Sequence, residues 1–382
     1  MAAMNSGQSQ HDGYPIDLPP GIRSASIDGV NGLQMHILEA GDATRPMLLL
    51  LHGFPELAWS WRKLMPSLAN AGFYVVAPDQ RGYGRTQGWD ADFDGDVASF
   101  RPLNLVLDAL CLITALGRDH VHAVLGHDFG SPVAAWCALM RPDVFRRVAL
   151  MSAPFPGPPK FPAGLTQSTT VSPRDMQAAL AALTPPRKHY QAYYSTRQAN
   201  ADLLEAPQGL SRFLRAYYHV KSADWSGNHP HPLEGTAQAL AQLPTYYLMN
   251  QSESMAETVA VNAPDDKTAA NTPWLTDEEL SVYVGEFKRT GFQGGLNWYR
   301  AVAMSRTEQA LFAGKRIEQP SLFIAGSSDW GRYQTPGAFQ RMQSQALGDL
   351  KGAHIVDGAG HWVQQEQPAA VLELLDGFLQ SD

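Results

Sequence analysis

Three short stretches carry residues able to do chemistry together. Gly126-His127-Asp128-Phe129-Gly130-Ser131 sets an aspartate between glycines, after an apolar run and before a helical one. In that strand–turn–helix setting a tight bend lifts a nucleophile above the end of a sheet, and the amides of the helix start point at it. The middle residue decides the chemistry. A carboxylate is already ionised at neutral pH, so it attacks an sp³ carbon without a base and forms an ester that water can cleave. A serine would form an ether, which water could not. Asp128 therefore argues against esterase, lipase or peptidase action and for displacement at carbon. Standing alone, the same motif reads equally well as a helix N-cap aspartate.

Cleaving an ester on Asp128 needs donors and a base. His52-Gly53-Phe54-Pro55 follows the apolar run 47–51. The Phe54 and Phe129 amides are the expected oxyanion hole. Pro55 stiffens that loop and suits a cis peptide. Gly358-Ala359-Gly360-His361-Trp362 brings a histidine between the last strand and the last helix, and Asp329 follows the apolar run 320–325. His361 would take a proton from water, and Asp329 would fix its tautomer. Two rival acids stand nearby. Asp79, in Pro-Asp-Gln-Arg-Gly-Tyr-Gly, follows a middle strand and reads as a turn or structural residue. Asp357 is too close to His361 in sequence for easy pairing. His11, His122, His189, His219, His229, His231 and His354 lack this context and read as surface or packing residues.

The elements that must position these groups follow an α/β pattern. Apolar runs at 34–38, 46–52, 73–78, 121–126 and 147–152 read as strands, separated by helical stretches at 57–70, 102–116 and 131–140. Alternation of this kind predicts a mostly parallel sheet flanked by helices. The pattern breaks after Ala153, where 155–164 is rich in proline and glycine. A helical, aromatic-rich segment follows, with loops expected at 222–231 and 261–273. Strands resume at 320–325 and 354–356, and a helix closes the chain at 368–379. The expected division is a flexible arm at 1–20, the first half of the core at 21–153, a helical insertion at 154–303 and the second half at 304–382.

Composition narrows the function. The 382 residues are 44% hydrophobic, enough for a large core. Lys and Arg total 29 against 37 Asp and Glu, a net charge of -8 that argues against a nucleic-acid partner. Cys111 and Cys137 are too few for a structural metal site and suit a reducing cytoplasm. No basic start followed by an apolar run marks a signal peptide, and no stretch reaches the roughly 20 apolar residues that cross a bilayer. A phosphate-binding Lys loop and a Gly-x-Gly-x-x-Gly are missing, which argues against nucleotide chemistry. No metal and no cofactor are expected.

These residues carry a family likeness. The chain resembles soluble epoxide hydrolases of the α/β-hydrolase superfamily from about residue 32 to 379. In the core the likeness rests on His-Gly-Phe-Pro-Glu, Asp-Gln-Arg-Gly-Tyr-Gly, Gly-His-Asp-Phe-Gly and Gly-His-Trp. In the insertion it rests on Leu-Thr-Asp-Glu-Glu-Leu at 275–280 and Thr-Gly-Phe-Gln-Gly-Gly-Leu-Asn-Trp-Tyr-Arg at 290–300. The resemblance implies an α/β-hydrolase fold with nucleophile, acid and base in that chain order, and a helical cap over the nucleophile. It implies that two cap tyrosines hold the epoxide oxygen, here Tyr299 and Tyr190, with Tyr193 and Tyr194 competing for the second role. Pro55, Gln191, Trp298 and Trp362 would line the substrate, a small apolar epoxide that reacts with water. A homodimer is compatible with such a chain. Two departures stand out: the stretch 222–273 is long, and Phe129 stands where many relatives carry Trp. The alternative is a haloalkane or haloacid dehalogenase, which shares the Asp nucleophile but holds halide with indole donors. Phe129 supplies none, leaving Trp330 or Trp362 for that task. A ligand-binding receptor on the same fold is the remaining alternative.

Overall fold

The structure is a computed structural model that describes residues 17–161 and 173–380. The strands in chain order are β1 (Ile22–Val30), β2 (Leu33–Ala40), β3 (Met47–Leu51), β4 (Tyr74–Pro78), β5 (Ala123–His127), β6 (Val148–Met151), β7 (Arg187–His189), β8 (Leu248–Asn250), β9 (Ile317–Gly326) and β10 (Leu347–Val356). Eight of them form one sheet in the order β1-β2-β4-β3-β5-β6-β9-β10. The β1–β2 and β2–β4 pairs are antiparallel and the remaining pairs in this sheet are parallel. The central strands Met-Leu-Leu-Leu-Leu and Ala-Val-Leu-Gly-His are buried along their whole length, as a strand covered on both faces must be.

This order has a consequence for the site. From β3 the chain moves to β4 on one side, and from β5 it moves to β6 on the other. β3 and β5 are therefore neighbours at a switch point, where crossovers leave in opposite directions and open a crevice beyond the strand ends. Phe54 follows β3 and Asp128 follows β5, so both lie at that crevice.

Between β6 and β9 the described chain is mostly helical, and it also holds the antiparallel pair β7–β8. The two insertion motifs fasten this segment to the core. Thr276 and Glu279 form a reciprocal capping box that starts the helix Asp277–Thr290. Glu279 Oε1 also accepts from Arg62 Nε at 2.8 Å, and Tyr283 lies 2.8 Å from Ser60 Oγ. Gly291 ends that helix at φ 66°, and Phe292 stacks on Phe287 at 4.4 Å. The next helix, Gln293–Met304, begins against the core: a Cβ on Gly294 would lie 2.0 Å from the Gly82 carbonyl oxygen. Trp298 Nε1 then donates to Arg81 O at 2.9 Å.

Several expectations change in detail. β1 was not anticipated, because an edge strand alternates weakly and its sequence is polar. The helix expected at 57–70 splits into a 3₁₀ turn at Ala58–Trp61 and a helix at Met65–Asn70, which restarts with Pro66 in its first turn. The loop expected at 261–273 contains a short helix, Asp266–Ala270, capped by the Asp265 side chain. The last strand begins at Leu347, well before 354. Most of the arm expected at 1–20 lies outside the described residues, as does the end of the Pro/Gly-rich stretch 155–164. Among the described residues no helix is long and apolar enough to cross a membrane. Cys111 and Cys137 are unpaired.

Gly294→Ala tests the fastening. The added methyl would meet Gly82 backbone, so the helix carrying Tyr299 must shift. A loss of about 1–3 kcal/mol in stability is expected from overpacking, read as a lower urea midpoint. An unchanged midpoint would mean the two backbones are not in close contact.

Candidate active site

The Asp128 bend is built by close approach. A Cβ on Gly126 would lie 2.2 Å from the Gly130 oxygen, and one on Gly130 would lie 2.2 Å from the Leu51 oxygen. Only glycines let β5, the following helix Gly130–Met140 and β3 come this near. Between them Asp128 takes φ 50°, a left-handed conformation that costs a non-glycine residue roughly 1–3 kcal/mol. The bend aims the carboxylate across the crevice.

Each carboxylate oxygen has its own partner. Oδ1 accepts from the Phe54 amide at 2.9 Å, and Oδ2 lies 3.0 Å from His361 Nε2. A Cβ on Gly53 would sit 2.4 Å from Asp128 Oδ1 and 2.7 Å from the Phe129 nitrogen, so only a glycine fits between this loop and the bend. The Phe54–Pro55 peptide is cis. Burial alone would raise the Asp128 pKa, but the His361 hydrogen bond and charge, with Lys221 and His127, hold it well below the usual carboxylate range. Asp128 is thus a buried anion.

His361 Nδ1 lies 3.0 Å from Asp329 Oδ1, which also accepts from the Gly331 amide at 2.7 Å. Burial would raise the Asp329 pKa; the His361 charge and hydrogen bond outweigh it and keep the group lowered. The rival acids are elsewhere. Asp79 accepts from the Ala58 and Arg85 amides and pairs with His36 Nδ1 at 2.8 Å, which is structural work. Asp357 is exposed.

The tyrosines separate by their partners. Tyr299 packs edge-on against Phe54 and Phe129, at 5.6 and 5.0 Å between ring centres. No group among the described residues engages its hydroxyl in a hydrogen bond. Tyr190 lies 5.9 Å from Tyr299, ring to ring; its hydroxyl donates to Gln334 Oε1 at 3.1 Å and accepts from Gln191 Nε2 at 3.2 Å. Tyr193 turns to Asp202 at 2.8 Å. Tyr194 is wholly buried against Phe54 and Tyr299. Burial raises the phenol pKa of Tyr190, with Asp128 adding to it; in Tyr299 burial, Tyr190 and Asp128 act in turn. Both stay protonated donors.

Two expected lining residues are corrected. Trp298 is fully buried behind Phe129 with its indole N–H on Arg81 O, so it packs the cap against the core. Trp362 is also fully buried, and its N–H donates to Tyr218 O at 2.8 Å, so no indole donor from it remains for a halide. Trp330 packs edge-on to His231 at 5.0 Å. The Pro55 carbonyl accepts from Tyr218, and the exposed Gln191 reaches the site only through Tyr190.

Several residues escaped the sequence argument. Glu56 lies inside His-Gly-Phe-Pro-Glu and His127 inside Gly-His-Asp, yet neither was assigned a role. Wholly buried, Glu56 accepts from the Gly53 amide at 3.0 Å, from Gln364 and Gln365, and from His127 Nδ1 at 2.6 Å. His127 Nε2 lies 2.7 Å from the His361 carbonyl. Acceptors at both ring nitrogens require both to carry protons, so His127 is an imidazolium. Burial would lower its pKa, but the Glu56 carboxylate wins and the group is raised. Glu366 accepts from the Gly360 and Trp362 amides at 2.8 and 2.9 Å, on either side of His361. Burial pushes that carboxyl up to about 8, against these two amides and that of Ala223, which favour its charged form.

Residues 46–368 match the alpha/beta hydrolase fold family. Epoxide hydrolase A of Mycobacterium tuberculosis is 32% identical over 372 residues, 94% of this chain and 99% of that protein. The structure of an epoxide hydrolase from an endophytic Streptomyces superposes with a TM-score of 0.74 at 32% identity, covering 94% of this chain and 96% of that one. Epoxide Hydrolase A from Mycobacterium thermoresistibile gives 0.73 at 32% identity, with 94% and 98% covered.

The Glu56–His127 pair makes a pH prediction. His127 is raised from its ordinary 6.5, so its stabilisation is full below that pH and is lost as pH rises through the raised folded value. Glu56 is lowered from 4.5, so its stabilisation is present above that pH and is lost as pH falls through the lowered value. Breaking a buried pair costs roughly 3–5 kcal/mol. Glu56→Gln should therefore destabilise most between pH 4.5 and 6.5, with the gap to wild type shrinking toward both extremes in denaturant unfolding. A pH-independent gap would contradict the ionised pair.

Proposed function

The chain belongs to the epoxide hydrolases of the α/β-hydrolase fold family, and from that premise we propose that it turns an epoxide and water into a vicinal diol through an ester on Asp128. One observation carries this reading: the Asp128 carboxylate sits between a backbone N–H and the His361 ring nitrogen.

In the first step one Asp128 oxygen attacks a ring carbon from the side opposite the C–O bond. That bond breaks, and its electrons form an alkoxide that takes a proton from a tyrosine. Tyr299 suits this role because its hydroxyl has no hydrogen-bond partner among the described residues. Tyr190 joins it by releasing Gln334 as its acceptor. Esterification removes the charge on Asp128, so Nε2 of His361 loses its anionic partner and turns to water. In the second step His361 takes a proton from that water as its oxygen adds to the ester carbonyl. The Phe54 and Phe129 amides hold the resulting oxyanion. Collapse expels the diol oxygen, which takes the proton from His361; one water oxygen stays in the Asp128 carboxyl, and the proton it still carries returns to the tyrosinate, restoring the carboxylate. Asp329 holds Nδ1–H and stabilises the imidazolium formed.

The epoxide body rests against apolar rings of Phe54, Phe129 and the cap tyrosines. A cytoplasmic location, suited to two unpaired cysteines, belongs to the same proposal.

Two variants test it. His361→Gln should accumulate a covalent adduct whose added mass equals the epoxide, seen by intact-protein mass spectrometry. With a good substrate, no adduct would reject the two-step scheme. Tyr299→Phe should slow ester formation about tenfold to a hundredfold, the worth of a hydrogen bond to a charged group, and ester cleavage much less. Equal slowing of both steps in rapid-mixing experiments would remove Tyr299 from the first.

A further inference from the structure

His361 must aim one ring nitrogen at Asp128 and the other at Asp329, so its backbone has to be held as firmly as its ring. Its carbonyl accepts from His127 Nε2 at 2.7 Å and from Ser152 Oγ at 2.8 Å. Its N–H donates to Lys221 O at 2.8 Å, at the end of the cap helix Leu210–Lys221. The peptides on either side meet a single carboxylate that the cycle above does not use. Glu366 Oε2 accepts from Gly360 N at 2.8 Å, and Oε1 accepts from Trp362 N at 2.9 Å. Oε2 also accepts from Ala223 N at 2.8 Å, just past the end of the cap helix.

Helix capping explains only one of these bonds. Glu366 ends the short helix Val363–Glu366 and Trp362 is its N-cap, so the Oε1 bond is local. The Oε2 bonds instead join Gly360 to Ala223, which lies 143 residues from Glu366 in the chain. Around them the two segments touch backbone to backbone: a Cβ on Gly360 would lie 2.5 Å from Lys221 O and 2.7 Å from Ala223 N. Trp362 Nε1 adds a bond to Tyr218 O at 2.8 Å. No cationic side chain among the described residues pairs with Glu366. Its partners are backbone amides of the base loop and of the cap, which is the pattern of a clamp rather than of a surface charge.

We propose that Glu366 is a positioning residue for the second step: it ties the peptides flanking His361 to the cap, so that Nε2 keeps its place once Asp128 is esterified. This rests on the epoxide-hydrolase reading and adds a residue to it. In the first step the Asp128 carboxylate, 3.0 Å from Nε2, itself helps to hold the ring. In the ester that anion is gone, and Asp329 and the backbone ties are left to hold the ring toward water. Placement on this scale matters, since a shift of about 1 Å can cost roughly a hundredfold in rate. Losing the clamp therefore costs ester cleavage more than ester formation.

The test resolves ester formation from ester cleavage by rapid mixing, with a neutral epoxide such as styrene oxide. Glu366→Leu removes both acceptor oxygens. It should slow ester cleavage about tenfold to a hundredfold and ester formation by less than about threefold, so that the covalent ester accumulates in intact-protein mass spectra. Glu366→Gln keeps one oxygen able to accept from Gly360 and Ala223, and its ester cleavage should fall between that of Glu366→Leu and wild type. Should Glu366→Leu not fold, Glu366→Gln decides alone: ester cleavage slower by about threefold or more, with ester formation unchanged. A residue that serves only stability would lower the urea midpoint and leave the ratio of the two rate constants at its wild-type value. That ratio unmoved in the variants, whether both steps slow equally or neither does, would overturn the proposal. Ester formation by wild type reports separately on the parent reading; its absence with every epoxide tested would overturn both.

Discussion

A carboxylate that must stay ionised away from water has to be surrounded by donors and cations, and this molecule is arranged around that demand. Asp128 is the anion. The Phe54 amide and His361 approach its two oxygens, and Lys221 and His127 add positive charge nearby. In the proposed cycle the same donors serve the reaction, because the charge that leaves Asp128 on esterification returns to it as an oxyanion on hydrolysis. Preorganised groups need not move between these states, which is where electrostatic catalysis gains most.

The fold supplies this arrangement at the β3/β5 switch point, where two loops from neighbouring strands face each other across one crevice. Behind it, Glu56 and His127 tie three loops into a unit: Glu56 holds Gly53, and His127 holds the His361 carbonyl. Glu366 then grips the amides flanking His361. Two insertion motifs press the cap onto the core through Arg62, Arg81 and Gly82, which fixes the helix that carries Tyr299. Precision at the site is thus a property of buried polar ties as much as of packing.

Much of this was legible in the residues. The glycines around Asp128 and His361 signal bends whatever surrounds them, and apolar runs at the central strands can only be buried. β1 was missed although its signal was present. Asn31-Gly32, both at positive φ between Val30 and Leu33, is a two-residue hairpin turn. Trp298 and Trp362 were misjudged because aromatic residues beside a catalytic motif look the same whether they face a ligand or pack behind it. Only their N–H partners tell the two apart. Glu56, His127 and Lys221 escaped because their roles depend on partners far away in the chain: Glu56 meets Gln364, and Lys221 meets Tyr247 and Trp362.

The central claim is that Asp128 bonds covalently to substrate carbon and is restored by water. It is tested most directly by turnover in ¹⁸O-water, followed by mass analysis of the peptide containing Asp128. After many turnovers that carboxylate should carry ¹⁸O, and in a single turnover with enzyme in excess the diol should gain its new oxygen unlabelled, from the protein. A diol labelled in the first turnover, with Asp128 never labelled, would mean that water attacks the epoxide directly and would contradict the account.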